Sequence, residues 1–203
     1  MKKYIIPFVL VLLGMFLPNF GINEYIAYII KTILGVGAII YFWKQYDEIK
    51  VKFDFMSWIV GLVLIAIWIG LEFLYTGTKT DFNPFTLSSP LSWIVLISKL
   101  IGMVVVAAVV EELFIRSFLA RLFIDPNKWE KVPIGTFSWM SFIITVIIFG
   151  FMHDRWIVGI ISGIIFNLWL YYKKDMFACI QCHASANLFL AIYAILTHSW
   201  FLW

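Results

Sequence analysis

The chain has 203 residues, of which 63% are hydrophobic and only 13% are charged, and its mean hydropathy is +0.96. An average soluble domain carries about 25% charged and about 45–50% apolar residues. The composition therefore excludes a soluble globule and predicts an integral membrane protein. A net charge of +3 is too small to indicate a protein that binds nucleic acid. The length favours a single domain over residues 1–203.

Apolar stretches separated by short polar segments predict an all-α fold, a polytopic transmembrane bundle of about seven helices. They lie at residues 5–20, 23–43, 56–75, 91–123, 136–152, 156–172 and 176–197. The first stretch follows Met1-Lys2-Lys3 and ends in bulky residues without a small-residue cleavage site, so we predict an uncleaved helix and not a signal peptide.

The basic residues predict the orientation, because Lys and Arg concentrate in cytoplasmic loops. If the N-terminus is cytoplasmic, only Lys79 and Arg155 fall in outer loops. The basic residues then on the inner side are Lys2, Lys3, Lys44, Lys50, Lys52, Arg121, Lys128, Lys131, Lys173 and Lys174. The sequence therefore predicts a cytoplasmic N-terminus.

Three charged residues, Glu111, Glu112 and Arg116, interrupt the fourth apolar stretch. A charged side chain at the centre of a bilayer costs about 2.5–3.5 kcal/mol on insertion scales, so such residues usually have a function. Residues four apart share one face of a helix, so Glu112 and Arg116 are expected to pair. Glu111 then points elsewhere and is free for chemistry.

Two further polar sites lie in separate stretches: Phe149 with His153, and His183 with Asn187, each pair at a spacing of four. With a rise of about 1.5 Å per residue, Glu111 and His183 come out at similar depths. His153 comes out about 5–10 Å too high on a straight helix. The fifth stretch must therefore tilt, start deep, or turn back at Asp154-Arg155.

These residue types favour hydrolysis of an amide. A glutamate can act as general base on a water that it shares with a histidine, here Glu111 with His153. His183 and Asn187 can donate hydrogen bonds to the oxyanion that forms when the water attacks. Exclusion of bulk solvent by the membrane strengthens each of these interactions.

The order Glu111-Glu112-x-x-x-Arg116, Phe149-x-x-x-His153 and His183-x-x-x-Asn187 resembles the CPBP family of intramembrane proteases, which includes the type II CAAX prenyl endopeptidases and the bacterial Abi proteins. The resemblance is strongest over a motif core at residues 91–197. Within the family, the sequence is most similar to bacterial CAAX protease-related proteins associated with exosortase systems. The resemblance implies a bacterial inner-membrane protease. Glu111 and His153 would activate water, Glu112 and Arg116 would support the site, and His183 and Asn187 would bind the oxyanion.

The resemblance implies a glutamate-dependent enzyme without a cofactor. Zinc is the alternative, since Glu111, His153 and His183 form a ligand set that zinc accepts. The sequence has no His-Glu-x-x-His motif, which favours the metal-free interpretation.

The partners implied are membrane lipid and a peptide or protein substrate, either lipidated or carrying a C-terminal sorting signal. A second interpretation is a non-catalytic accessory or immunity protein of a sorting system, in which the charged cluster only holds helices together. The pattern Gly159-x-x-x-Gly163 fits either a dimer face or, as we expect, close packing within the bundle. The oligomeric state is not predicted.

Overall fold

The computed structural model describes residues 1–75 and 82–202, which form helices and turns. Lys79, which the orientation prediction places in an outer loop, lies outside the described residues. The main helices are α1 Lys2–Phe16, α2 Glu24–Phe42, α3 Phe55–Gly70, α4 Ser89–Leu122, α5 Trp139–Phe151, α6 Trp156–Lys173 and α7 Met176–Thr197. Short 3-10 turns lie at Leu17–Phe20, Trp43–Gln45, Glu72–Leu74, Pro84–Thr86, Trp129–Lys131 and Trp200–Leu202. The predicted helical membrane bundle is confirmed.

Polar residues fix the start of three helices. Asn23 Oδ1 accepts a hydrogen bond from the Tyr25 amide at 3.0 Å, and Asp54 and Asp175 cap α3 and α7 in the same way. A side-chain oxygen at this position satisfies an amide that the first helical turn leaves without a partner. These caps set where α2, α3 and α7 begin.

Within the described ranges, six helices are long and apolar enough to cross a membrane, while α5 has only 13 residues. At 1.5 Å per residue, α5 rises about 20 Å, less than the hydrocarbon thickness of about 30 Å. The chain turns at residues 152–155 and continues as α6 from Trp156. The helix ends within one residue of the predicted end, and the chain then turns back at Asp154-Arg155, which was one of three predicted ways to lower His153.

Helix α4 is 34 residues long and is not a regular α-helix throughout. Two π-helical stretches, Ile101–Ala107 and Leu113–Leu119, flank the α-helical segment Ala108–Glu112 that carries both glutamates. A π-helical turn has more residues than an α-helical one, so it rotates the side chains that follow, and such turns are frequent at functional sites.

Glycines bring two pairs of helices close together. A Cβ at Gly159 of α6 would lie 2.8 Å from the Gly150 carbonyl oxygen of α5, and one at Gly163 would lie 3.3 Å from Val146 Cα. Gly61 of α3 approaches α7 in the same way: a Cβ at Gly61 would lie 2.7 Å from the Cys182 carbonyl oxygen. The Gly-x-x-x-Gly pattern therefore serves packing within the bundle, and it places α5, with His153 just beyond its end, against α6.

Glu48 joins α1 and α4 at one end of the bundle. Its Oε1 accepts hydrogen bonds from Tyr4 and Ser117, each at 2.6 Å, and it forms ion pairs with Lys3 and Arg121. Burial opposes the charged form of Glu48, but the bonds from Ser117 and Tyr4 and the charge of Lys3 outweigh it and hold the pKa below its usual range. Basic residues predicted for the inner side therefore contact one buried carboxylate.

Arg155 connects the turn that follows α3 to the start of α6. Its guanidinium binds Glu72 through two hydrogen bonds, 2.6 Å from Nε and 2.9 Å from Nη2, and Nη2 also reaches the Phe201 carbonyl at 2.9 Å. The Tyr75 hydroxyl accepts from the Val158 amide in the first turn of α6 at 3.1 Å. These bonds fix the end of α3 beside the turn that carries His153.

Candidate active site

Side chains from helices α3 to α7 and from the turn after α5 enclose a cavity of about 200 Å³ in the motif core. Four of the six predicted site residues line it: Glu111, His153, His183 and Asn187. A water takes up about 30 Å³ of liquid, so the cavity has room for a few waters or for a peptide group with one. The remaining wall is largely apolar and includes Phe149, Phe166 and Leu190.

Glu112 faces away from the cavity into a fully buried polar cluster. Its Oε1 lies 3.1 Å from Arg116 Nη1 and 2.8 Å from His183 Nδ1, and its Oε2 accepts from Cys179 Sγ at 3.2 Å. The exposed fraction is 0% for Glu112 and 1% for Arg116. The pairing of Glu112 with Arg116 expected from their spacing is present, and Glu112 additionally holds His183.

Arg116 extends this cluster to α5 and α6. Its Nε donates to Asn167 Oδ1 at 3.2 Å, and Asn167 Nδ2 donates to Thr145 Oγ1 at 2.9 Å. The guanidinium carbon lies 4.1 Å from the centre of the Phe149 ring, an arrangement in which the ring face attracts the cation. Since Arg116 contacts α5 and α6 while Glu112 contacts α7, the ion pair connects four helices.

Glu111 differs from its neighbour in having no such cluster. It is half-buried, lines the cavity, and its Oε2 is buried without a hydrogen-bond partner among residues 1–75 and 82–202. Buried polar atoms are nearly always hydrogen-bonded to protein or water. The carboxylate of Glu111 is therefore not engaged by the described residues and is available to a molecule in the cavity.

The two histidines are each held through Nδ1. His153 Nδ1 lies 2.8 Å from the Phe149 carbonyl oxygen, and His183 Nδ1 lies 2.8 Å from the Glu112 carboxylate. Both oxygens can only accept, so each Nδ1 carries a hydrogen. The Nε2 atom of each ring remains for the cavity, where it accepts a hydrogen bond in the neutral ring and donates one in the charged ring.

Asn187 is already engaged with α4. Its Nδ2 donates to the Met103 carbonyl oxygen at 2.8 Å. That carbonyl lies in a π-helical stretch, where the backbone does not follow the regular α-helical pattern. Asn187 therefore has one amide hydrogen and its side-chain carbonyl left for a ligand in the cavity.

The donor set for the zinc alternative does not come together. Among the described residues, no group of three or more His, Cys, Asp or Glu side chains lies close enough to hold a metal ion. Both histidines do have an Nε2 atom to offer, but Glu111 does not complete a metal site with them. The metal-free enzyme stays a prediction.

Sequence reasoning missed several residues of the site. Cys179 lies four residues before His183 on α7, a spacing that does signal a shared face. Asn167 is a polar residue in the apolar stretch at residues 156–172, which is a second sequence signal of a buried polar contact. Trp68 of α3 also lines the cavity, and nothing in its sequence context distinguishes it from the other tryptophans.

Comparison with known protein families finds a match for the region that carries the motifs. Residues 92–189 match the family described as type II CAAX prenyl endopeptidase Rce1-like. The matched region contains all three motifs. Neither the comparison with curated proteins nor that with solved structures finds a match. The match concerns the family, so the exosortase-associated subgroup stays a prediction. Over residues 92–189, the chain is thus similar to the family of Rce1-like type II CAAX prenyl endopeptidases.

Proposed function

We propose that this protein is an intramembrane endopeptidase that uses Glu111 as a general base and requires no metal. The observation that carries the proposal is the contrast between two adjacent glutamates. Glu112 belongs to a buried ion-pair cluster. Glu111, whose Oε2 has no hydrogen-bond partner among the described residues, lines a cavity together with both histidines.

In the proposed reaction, a water in the cavity donates one hydrogen bond to Glu111 and one to His153 Nε2. As the water oxygen attacks the carbonyl carbon of the peptide, Glu111 takes its proton and the carbonyl becomes an oxyanion. Collapse of this intermediate breaks the C–N bond, and the proton held by Glu111 passes to the leaving amine. The products are a carboxylic acid, which keeps the second proton of the water, and an amine, and the glutamate returns to its charged form.

The oxyanion needs hydrogen-bond donors that are already in place. The second N–H of Asn187 is one, and His183 is another when its ring is charged and paired with Glu112. The bond between Glu112 and His183 fixes the ring orientation, which is the kind of support that keeps a reacting group within reach. Glu112 and Arg116 thus act on the site through His183.

The substrate in this proposal is a peptide or protein held at the membrane, because the cavity lies among membrane-spanning helices. A lipid anchor or a C-terminal apolar sorting signal would bring the scissile bond to this depth. Membrane lipid is the surrounding partner. The cytoplasmic N-terminus and the bacterial inner membrane belong to the same proposal.

The accessory-protein alternative accounts for part of the structure. The cluster of Glu112, Arg116, Asn167 and His183 holds helices together, as that interpretation requires. It gives no reason for Glu111, whose buried oxygen accepts no hydrogen bond in the described part of the chain. A buried polar atom without a hydrogen-bond partner is costly, and active sites are where such costs are retained.

The test is cleavage of membrane-anchored peptides by the purified protein in liposomes. One set carries a prenylated C-terminal cysteine motif and another an apolar sorting signal, each with a fluorophore and quencher across the candidate bond. We expect cleavage by the wild type and a loss of about 100-fold or more in Glu111→Gln, the range for removal of a general base. The variant should remain folded, since no hydrogen bond to the buried oxygen of Glu111 is lost.

Two results would contradict the proposal. Normal cleavage by Glu111→Gln would remove the glutamate from the mechanism. Loss of wild-type activity after treatment with a strong chelator, with recovery on addition of zinc, would replace the metal-free mechanism by a metal-dependent one.

A further inference from the structure

Trp68 is placed in the cavity by helix α3, outside the region that matches the family. Its ring lies edge-on to the His153 ring, with the ring centres 6.0 Å apart and the planes at 72°. On one side of Trp68, Gly61 packs closely against α7, and on the other, Glu72 binds Arg155. α3 is therefore held on both sides of this tryptophan.

The indole nitrogen of Trp68 is a donor without an acceptor. Its Nε1 is buried, and it has no hydrogen-bond partner in the two described ranges. Buried tryptophans usually pair this N–H, because leaving it unpaired costs about 1–3 kcal/mol. The two residues that carry this unpaired donor and the unpaired Glu111 oxygen thus line one cavity of about 200 Å³.

The oxyanion site otherwise has few donors. One N–H of Asn187 already donates to the Met103 carbonyl oxygen, and His183 donates from Nε2 only when its ring is charged. Ser162 also lines the cavity, but its hydroxyl donates to the Val158 carbonyl at 2.8 Å. The indole N–H of Trp68 requires no proton to be gained and breaks no existing bond.

We propose that the Trp68 indole N–H is an oxyanion donor, which binds the carbonyl oxygen of the scissile peptide bond as negative charge develops on it. This inference rests on the proposed endopeptidase function. The size of the cavity supports the assignment to the scissile group: at about 200 Å³ it is smaller than the roughly 300–1,000 Å³ of ordinary ligand sites. It holds the reacting group and its water, and the rest of a peptide lies outside.

The test compares Trp68→Phe with Trp58→Phe, which is a matched control. Phenylalanine keeps an aromatic ring and removes only the N–H and part of the ring area. Trp58 lies on the same helix, and its Nε1 is also buried and unpaired within the described residues. However, it packs on Phe189 in an apolar groove that does not include Glu111 or either histidine.

We expect Trp68→Phe to lower kcat by about 100-fold, the effect of losing one oxyanion donor, with KM changed by less than about threefold. Trp58→Phe should keep the wild-type kcat. A kcat within about threefold of wild type, or a rise in KM alone, would overturn the assignment. If the wild type itself cleaves no substrate, the proposed function fails first, so the two failures are distinguishable.

A second measurement is independent of turnover. In ¹⁵N-indole NMR, the Trp68 signal is the one missing from Trp68→Phe. A peptide with a phosphinic group in place of the scissile amide imitates the tetrahedral oxyanion. Its binding should move the indole proton of Trp68 downfield and leave that of Trp58 unchanged. An unchanged Trp68 signal at saturating peptide would overturn the proposal.

Discussion

Replacing each of the two adjacent glutamates by glutamine should have different effects on the stability of the protein. The substitution is the same and the positions are consecutive on α4. Glu112 accepts bonds from Arg116, His183 and Cys179 at 3.1, 2.8 and 3.2 Å, whereas Oε2 of Glu111 accepts none from the described residues. Only Glu112→Gln changes a carboxylate that buried side chains contact directly.

The expected magnitudes follow from these contacts. Glu112→Gln leaves the Arg116 charge in the protein interior without its counter-ion, and breaking a buried pair in this way costs about 3–5 kcal/mol. For a chain of this size, that lowers Tm by about 6–20 °C. Glu111→Gln replaces a charge whose buried oxygen has no hydrogen-bond partner by a neutral amide, so its stability should stay within about 1 kcal/mol of wild type.

The assay is thermal unfolding in detergent, followed with a dye that fluoresces on reaction with thiols. Cys179 and Cys182 are buried thiols, and they become reactive when the bundle opens. Activity measured in parallel should fall in both variants: Glu111→Gln loses the base, and Glu112→Gln loses the support of His183. Only the unfolding temperature separates the two roles.

A Glu111→Gln variant that unfolds as early as Glu112→Gln would refute the reasoning, since Glu111 would then be a structural residue. A Glu112→Gln variant with the wild-type Tm would show that the ion-pair cluster does not stabilise the bundle. Either outcome would reverse the division of labour between the carboxylates.

Three further predictions concern the frame of the site. In the folded protein, the pKa of Glu48 lies below its usual 4.5, so its contribution to stability is complete above pH 4.5 and is lost as the pH falls through the lowered pKa. Glu48→Gln should therefore remove this part of the acid dependence of Tm. Gly159→Ala places a Cβ 2.8 Å from a carbonyl oxygen of the facing helix, so it should lower the free energy of unfolding by about 1–3 kcal/mol and lower activity. A Cβ at Gly37 would meet no described atom within 4 Å, so Gly37→Ala should keep wild-type activity and should keep Tm or raise it slightly. Cys179→Ala removes the thiol donor to Glu112 and should lower stability by about 1 kcal/mol, read as a smaller fall in Tm than Glu112→Gln causes.

Local sequence features were sufficient for the class of fold and for the choice of polar residues. Apolar stretches of membrane-spanning length predict helices because backbone groups in lipid must bond within their own segment. The spacing of Glu112 and Arg116 predicted their contact, because residues four apart on a helix are neighbours. The three motifs, read together, also indicated the family.

The placement of His153 could not be read from the sequence. A straight-helix estimate put it too far from Glu111, and only the short α5 with its turn at residues 152–155 shows how it reaches the cavity. Near its end, that helix packs closely against α6 at Gly150 and Gly159, which is a tertiary contact. Hydropathy indicates whether a segment lies in lipid or in water, but it does not indicate where packing against other helices places the residues at its end.

The sequence by itself determined that this is a helical membrane protein, and its three motifs predicted the resemblance to a peptidase family that residues 92–189 show. The tertiary structure alone decided that Glu112 also binds His183, and that Glu111 and Trp68 line one cavity. The reason is physical: helical spacing fixes contacts within one helix, whereas a site made from several helices depends on how they pack.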